Sequence, residues 1–252
     1  MERVLTALSM GLGVGSFVYS FAGNIYTSLL FCALTIILIC VSFFIESEIK
    51  AHGNDFVNKL MYYISRDEYR YNIENERCTY SYLGNGEYEC EKRISIKLNA
   101  NDVDYIEERY SWTSDSKSAN LLTVNSNDNI SHIHKDGLWT CYTIDLGGIR
   151  NRNEVYQTGS KITNLIDPNG EALPFYSTYV TKKTKVLIIT VKFPKDQLPS
   201  NDVYFHSKPT DDSKAISTKP EILEYDATRG GYSKTVHFPR KGWQYVISWG
   251  KK

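Results

Sequence analysis

Two patterns of hydrophobic and polar positions divide the chain. From position 4 to position 45 no charged residue occurs, a gap of 42 residues between Arg3 and Glu46. Wound as α-helix at 1.5 Å per residue this run would extend about 63 Å. That is about twice the ~30 Å hydrocarbon thickness of a bilayer, so the pattern predicts two crossings rather than one. The turn falls at Gly23-Asn24, giving helices over 4–22 and 25–45, with Tyr19 and Tyr26 flanking it at interfacial positions. A cleaved leader ending near Ser20-Phe21-Ala22 is the competing reading, but its apolar core would be longer than the usual ~7–15 residues. Ala7, Gly11 and Gly15 recur every four residues, spacing that lets helices pack closely in lipid, either within the hairpin or between protomers.

Beyond Lys50 the period changes. Residues 49–75 read as a connector, with Phe56, Leu60 and Ile64 on one helical stripe after Asn54. From position 76 onward the pattern is that of strands. Tyr80 to Leu83, the turn Gly84-Asn85-Gly86 and Glu87 to Cys90 predict a hairpin. Ile94, Ile96 and Leu98 alternate with Ser95 and Lys97, as on a half-buried strand. Further strand-like runs lie near Tyr110, Trp139 to Ile144, Val186 to Phe193, Val203 to Phe205, Thr235 to Phe238 and Tyr245 to Trp249. Glycine and proline breakers separate them, among them Asp136-Gly137 and Asp167-Pro168-Asn169-Gly170. The predicted fold is a two-helix transmembrane hairpin (1–48), a connector helix (49–75) and an all-β domain (76–252). The β domain is expected to be an antiparallel sandwich, immunoglobulin-like, or a small barrel.

Charge adds orientation. The turn carries no Lys or Arg, whereas Arg3 precedes the hairpin and Lys50, Lys59, Arg66 and Arg70 follow it. The positive-inside bias predicts a multi-pass membrane protein with both termini cytoplasmic. Lys+Arg and Asp+Glu each total 29, and a zero balance argues against binding a nucleic-acid polymer. Five cysteines in 252 residues exclude a disulfide scaffold.

Candidate chemistry is sparse. His132 and His134, with Asp136 or Cys141, have metal-ligand character but lie in a polar stretch that also reads as a loop. Asp102, Asp104, Glu107 and Glu108 read as a carboxylate site or as the exposed side of a turn. No nucleophile elbow, phosphate loop or CxxC pair occurs, so no enzyme and no cofactor are expected. Two segments join cations, aromatics and glycines: Gly147 to Tyr156, containing Arg150 and Arg152, and Arg229 to Trp243, containing Tyr232, Arg240 and Lys241. Arginine can grip phosphate oxygens while Tyr232 or Trp243 stacks on a base, although basic glycine-rich segments are also ordinary hairpin turns.

The span from Val4 to Ile45 followed by the strand-and-turn pattern from Tyr80 to Trp249 resembles the two-transmembrane, β-strand-rich effectors of bacterial anti-phage cyclic-nucleotide signalling. The resemblance is architectural and places no family site residue on this chain. It implies a β domain that senses a cyclic nucleotide and homo-oligomerising hairpins that lie in the bacterial inner membrane and disrupt it. The alternative is a membrane-tethered adaptor whose β-sandwich binds another protein.

Overall fold

The structure is a computed structural model that describes residues 26, 30, 33–34, 36–41, 54–64, 69–112, 114, 119–167, 169–170, 172–210 and 218–250. Two compact units are distinguished, Met1–Met61 and Tyr62–Lys252. Among the described residues no helix is long and apolar enough to cross a membrane. Among the described residues the longest continuous helix is Asn54–Ile64, 11 residues or about 16 Å. The expected transmembrane hairpin is therefore corrected, and with it the multi-pass inner-membrane placement and the cytoplasmic assignment of the termini. The span 4–22, including Ala7, Gly11 and Gly15, lies outside the described residues. Within 25–45 the described residues are Tyr26, Leu30, Ala33, Leu34 and positions 36–41, and all of them are helical. Freedom from charge permits a span but does not by itself make one, which takes an apolar helix of about 20 residues.

The second unit is built from strands: β1 (Tyr71–Gly84), β2 (Glu87–Leu98), β3 (Val103–Ser111), β4 (Asn120–Thr123), β5 (Asn129–Asp136), β6 (Trp139–Arg150) and β7 (Val155–Ile166). They continue with β8 (Phe175–Val180), β9 (Val186–Lys192), β10 (Val203–Pro209), β11 (Glu221–Leu223), β12 (Tyr225–Asp226), β13 (Gly231–His237) and β14 (Trp243–Ser248). A seven-stranded sheet runs β12-β13-β9-β1-β2-β7-β4, a four-stranded sheet β11-β10-β14-β8 and a three-stranded sheet β3-β6-β5. The β1–β9 pair is parallel. This arrangement corrects the expected antiparallel sandwich or barrel: the large sheet is mixed, and two separate smaller sheets cover it.

Both small sheets lie on one face of the large one. A register shift between Ile73 and Asn75 inserts an extra residue, which keeps Tyr71 and Ile73 on the same face as Glu76, Cys78 and Tyr80. Tyr71 and Ile73, with Ile94, Ile96 and Leu98 of β2, form one core with Val103, Ile106, Ile144 and Leu146 of the three-stranded sheet. Further along the same strand, Cys78 and Tyr80, with Leu187, Ile189 and Val191 of β9, form a second core with Val203, Phe205, Tyr245 and Ile247 of the four-stranded sheet. Strand alternation supplies one apolar face, and the two small sheets divide it between them.

Candidate functional site

The two cores meet at a buried charge. Glu76 on β1 is 1% exposed, in a position where an apolar side chain would continue the core. Lys92, on the neighbouring strand β2, stands opposite Cys78, diagonal to Glu76 on the same face. Lys92 Nζ lies 3.1 Å from Glu76 Oε1 and donates to Glu108 Oε2 at 2.8 Å. Glu108 comes from β3 in the three-stranded sheet, while Thr178 Oγ1 of β8, in the four-stranded sheet, donates to Glu76 Oε1 at 3.4 Å. A single polar chain thus joins all three sheets. Burial alone would depress the Lys92 ammonium, but Glu108 and Glu76 outweigh it and hold it well above its ordinary value.

Above this floor a cleft of about 980 Å³ opens between the small sheets. Its base includes Tyr80, Cys90, Lys92 and Ser160 of the large sheet. One wall is the three-stranded sheet, whose β3 contributes residues from both faces, Glu108 and Tyr110 from one and Glu107 and Arg109 from the other. The opposite wall is β8, the edge of the four-stranded sheet. Trp139 and Tyr179 reach across between the walls, ring to edge at 5.2 Å. The Arg109 guanidinium lies 4.4 Å over the Trp139 ring. Lys182, just after β8, donates to the Tyr71 hydroxyl and to the Glu107 carbonyl at 3.4 Å. Burial lowers the Lys182 ammonium below its ordinary value, the nearby Glu108 charge opposing the shift only in part. Among the described residues neither Arg109 nor Lys182 has a carboxylate within ion-pairing distance. At the base, burial pushes the Cys90 thiol up to about 11, so it is a neutral, unreactive group at ordinary pH.

Several sequence candidates converge on this cleft. His132, His134, Cys141, Asp104, Glu107 and Glu108 line it, whereas Asp102 and Asp136 do not. His134, Cys141 and Arg109 occupy one cross-strand row. His132 sits in a bulge of β5 with a φ of 48°, and its carbonyl lies 3.2 Å from His134 Nδ1. Asp104 is 3.9 Å from Arg70. No group of three or more His, Cys, Asp or Glu side chains is placed to hold a metal among the described residues.

The basic glycine-rich segments lie elsewhere. Arg150, at the end of β6, donates to the Leu146 carbonyl at 2.9 Å and covers the Tyr156 ring at 4.2 Å. The Arg152 backbone N–H donates to Asn101 Oδ1 at 3.0 Å. Gly147 belongs to that segment because a Cβ there would lie 2.1 Å from the Asn127 carbonyl oxygen. Arg229 sits 3.5 Å from Asp226 and donates to Ser233 Oγ at 2.7 Å, beside Tyr232 on β13. Arg240 covers Trp243 at 4.8 Å, and Lys241 covers Tyr69 at 4.8 Å. These segments belong to three different sheets, and none of their named cations or aromatics lines the cleft.

Lys92, Arg109, Lys182 and Tyr179 were not singled out by the sequence. For Lys92 a signal existed: counting back by two from Leu98 through Ile96 and Ile94 puts it on the buried face. For Lys182 no such signal existed, since its setting depends on strands distant in the chain.

No family model matches this chain, and no curated protein does. Solved structures similar to it include a putative protease from Parabacteroides distasonis, with a TM-score of 0.37 at 10% identity, covering 71% of this chain and 40% of that one. Another is an M1 zinc metallopeptidase from Deinococcus radiodurans, with a TM-score of 0.39 at 6% identity, covering 73% of this chain and 43% of that one. The chain spans less than half the length of either protein.

Proposed function

We propose that this chain is a non-catalytic ligand-binding module whose cleft accepts a planar, anionic small molecule of the nucleotide class. The reading rests on one observation: Arg109 and Lys182 line an aromatic cleft without carboxylate partners among the described residues, the Arg109 guanidinium lying 4.4 Å over the Trp139 ring, which meets Tyr179 edge to face. A guanidinium on an aromatic face keeps its edge for phosphate oxygens, and the neighbouring rings provide a stacking surface for a base. Glu107 and Asp145, also in the lining, can accept from the amino groups of a base or the hydroxyls of a ribose. None of the five histidines is followed by glutamate, so the chain has no His-Glu-x-x-His motif, which supports binding over metallopeptidase chemistry. Of the effector reading, the nucleotide-sensing half is retained; its membrane-disrupting half falls with the hairpin.

Isothermal titration with a panel of cyclic mono- and dinucleotides tests this. Arg109→Ala should cost about 1.5–3 kcal/mol, the range for a hydrogen bond to a charged group, or roughly 10- to 150-fold in Kd. Arg150→Ala should leave binding unchanged. Failure of every nucleotide to bind at millimolar concentration would sink the proposal.

A further inference from the structure

The outer face of the large sheet, turned away from the cleft, carries a second hollow of about 620 Å³ bounded by β1, β2, β7 and the turn at 124–126. Arg77 and Arg93 both line it, and they stand directly opposite each other in the β1–β2 register. Like charges so placed repel and destabilise a sheet. Arg93 is relieved on one side only, since its Nε donates to Glu91, two residues earlier on the same face, leaving its terminal nitrogens. Arg77 has no carboxylate partner among the described residues.

The rim sorts into committed and uncommitted groups. Asn125 Nδ2 donates to the Tyr156 hydroxyl and the Gln157 carbonyl, and Thr158 Oγ1 donates to Asp128. The hydroxyls of Ser95 and Ser126 have no such bond among the described residues, and both belong to the lining. Opposite Arg93 on β7 stands Gly159, where a Cβ would lie 2.0 Å from the Lys92 carbonyl oxygen. No side chain therefore stands beside Arg93 on that strand.

We infer that this hollow binds a phosphoryl group, gripped by Arg77 and the terminal nitrogens of Arg93 with Ser95 and Ser126 donating. Two opposed guanidinium groups with uncommitted donors complement a tetrahedral oxyanion, and an anion between them removes the repulsion that the empty pair carries. The site is independent of the cleft, so its failure and that of the cleft reading are separable.

The test is thermal unfolding and calorimetric titration of the full chain with inorganic phosphate, against chloride at equal ionic strength. Phosphate should raise Tm by several degrees at saturation. The rise should vanish in Arg77→Ala and in Arg77→Gln, and persist in Arg109→Ala. Glycerol 3-phosphate and AMP, run in parallel on Arg109→Ala so that the cleft does not contribute, distinguish the sources: tighter binding than phosphate by one of them, lost on adding Arg77→Gln, identifies the esterified group. No phosphate-specific rise in the parent protein, or a rise retained in both Arg77 variants, would overturn the inference.

Discussion

Adjacent residues on the same two strands meet opposite fates. Glu76 and Lys92 face inward, while Arg77 and Arg93 face outward one position along. The inward pair is enclosed and completed by Glu108 from another sheet. The outward pair is two like charges, only one of which has a carboxylate partner among the described residues. Charges taken out of water must be matched at close range, because the interior screens them poorly. Charges at the surface tolerate mismatch, because water and salt screen them. A mismatch at the surface is thus a place where a ligand can supply what the fold does not, and a mismatch inside would cost the fold itself.

The largest test of this contrast is Lys92→Met, which leaves Glu76 and Glu108 buried without their cation. It should destabilise the protein by about 3–5 kcal/mol, read by urea unfolding. Adding Glu76→Gln and Glu108→Gln to that variant should recover part of the loss. A single Lys92→Met that costs under ~1 kcal/mol would show that the buried chain is not enclosed in solution.

Alkaline pH should act next in size, and from the inner face alone. Lys92 is held well above its ordinary 10.5, so the stability from its ion pairs is full below that value and is lost as pH rises through the raised one. The Cys90 thiol is pushed from 9.0 up to about 11, so its neutral form favours the folded state increasingly less as pH climbs from 9 to 11. That shift corresponds to roughly 3 kcal/mol. Buried Tyr80 and Tyr176, also raised by desolvation, act with the same sign. Chemical denaturation at pH 8, 9, 10 and 11 should show a steady decline. Cys90 should likewise resist a thiol reagent at pH 8 until the chain is unfolded.

A smaller effect concerns how the three-stranded sheet is seated. The Tyr142 hydroxyl and Ser160 Oγ lie 2.7 Å apart, buried between β6 and the floor. Tyr142→Phe removes that bond and leaves Ser160 without it, a loss of about 1 kcal/mol by the same unfolding assay. The smallest belongs to the outer face: in chloride buffer Arg77→Gln should change stability by no more than ~0.5 kcal/mol. A loss of 2 kcal/mol or more there would erase the distinction between the two faces.

Legibility in the sequence followed the same division. The alternation of Ile94, Ile96 and Leu98 identifies their strand and its buried side, and all three are buried. Asn85 and Gly86 both have positive φ in the turn that closes β1 onto β2, as the Gly84-Asn85-Gly86 signal implies. An uncharged run such as 4–45 is compatible with a membrane span but does not establish one, and among the described residues no helix is long and apolar enough to cross a membrane. Cations with glycines led to three separated turns, because composition reports what residues a segment holds and not what faces it. His132, His134 and the acidic cluster were noticed one by one, but nothing local to either says that they line one cleft.

What the sequence determined by itself was local: strand periodicity, turn positions and the alternation of sides along an unbroken stretch of strand, all set by backbone geometry within a few residues. What only the tertiary structure decided was non-local. Glu74, the extra residue on β1, reverses the parity that would otherwise put Glu76 on the outer face. The parallel pairing of β1 with β9, and the seating of two small sheets on one face, bring Thr178 to that carboxylate and Glu108 to the Lys92 ammonium beside it. Pairing partners are chosen by the total burial and charge matching of the whole assembly. The free energy of a buried ion therefore depends on residues far away in the chain, and no local pattern records it.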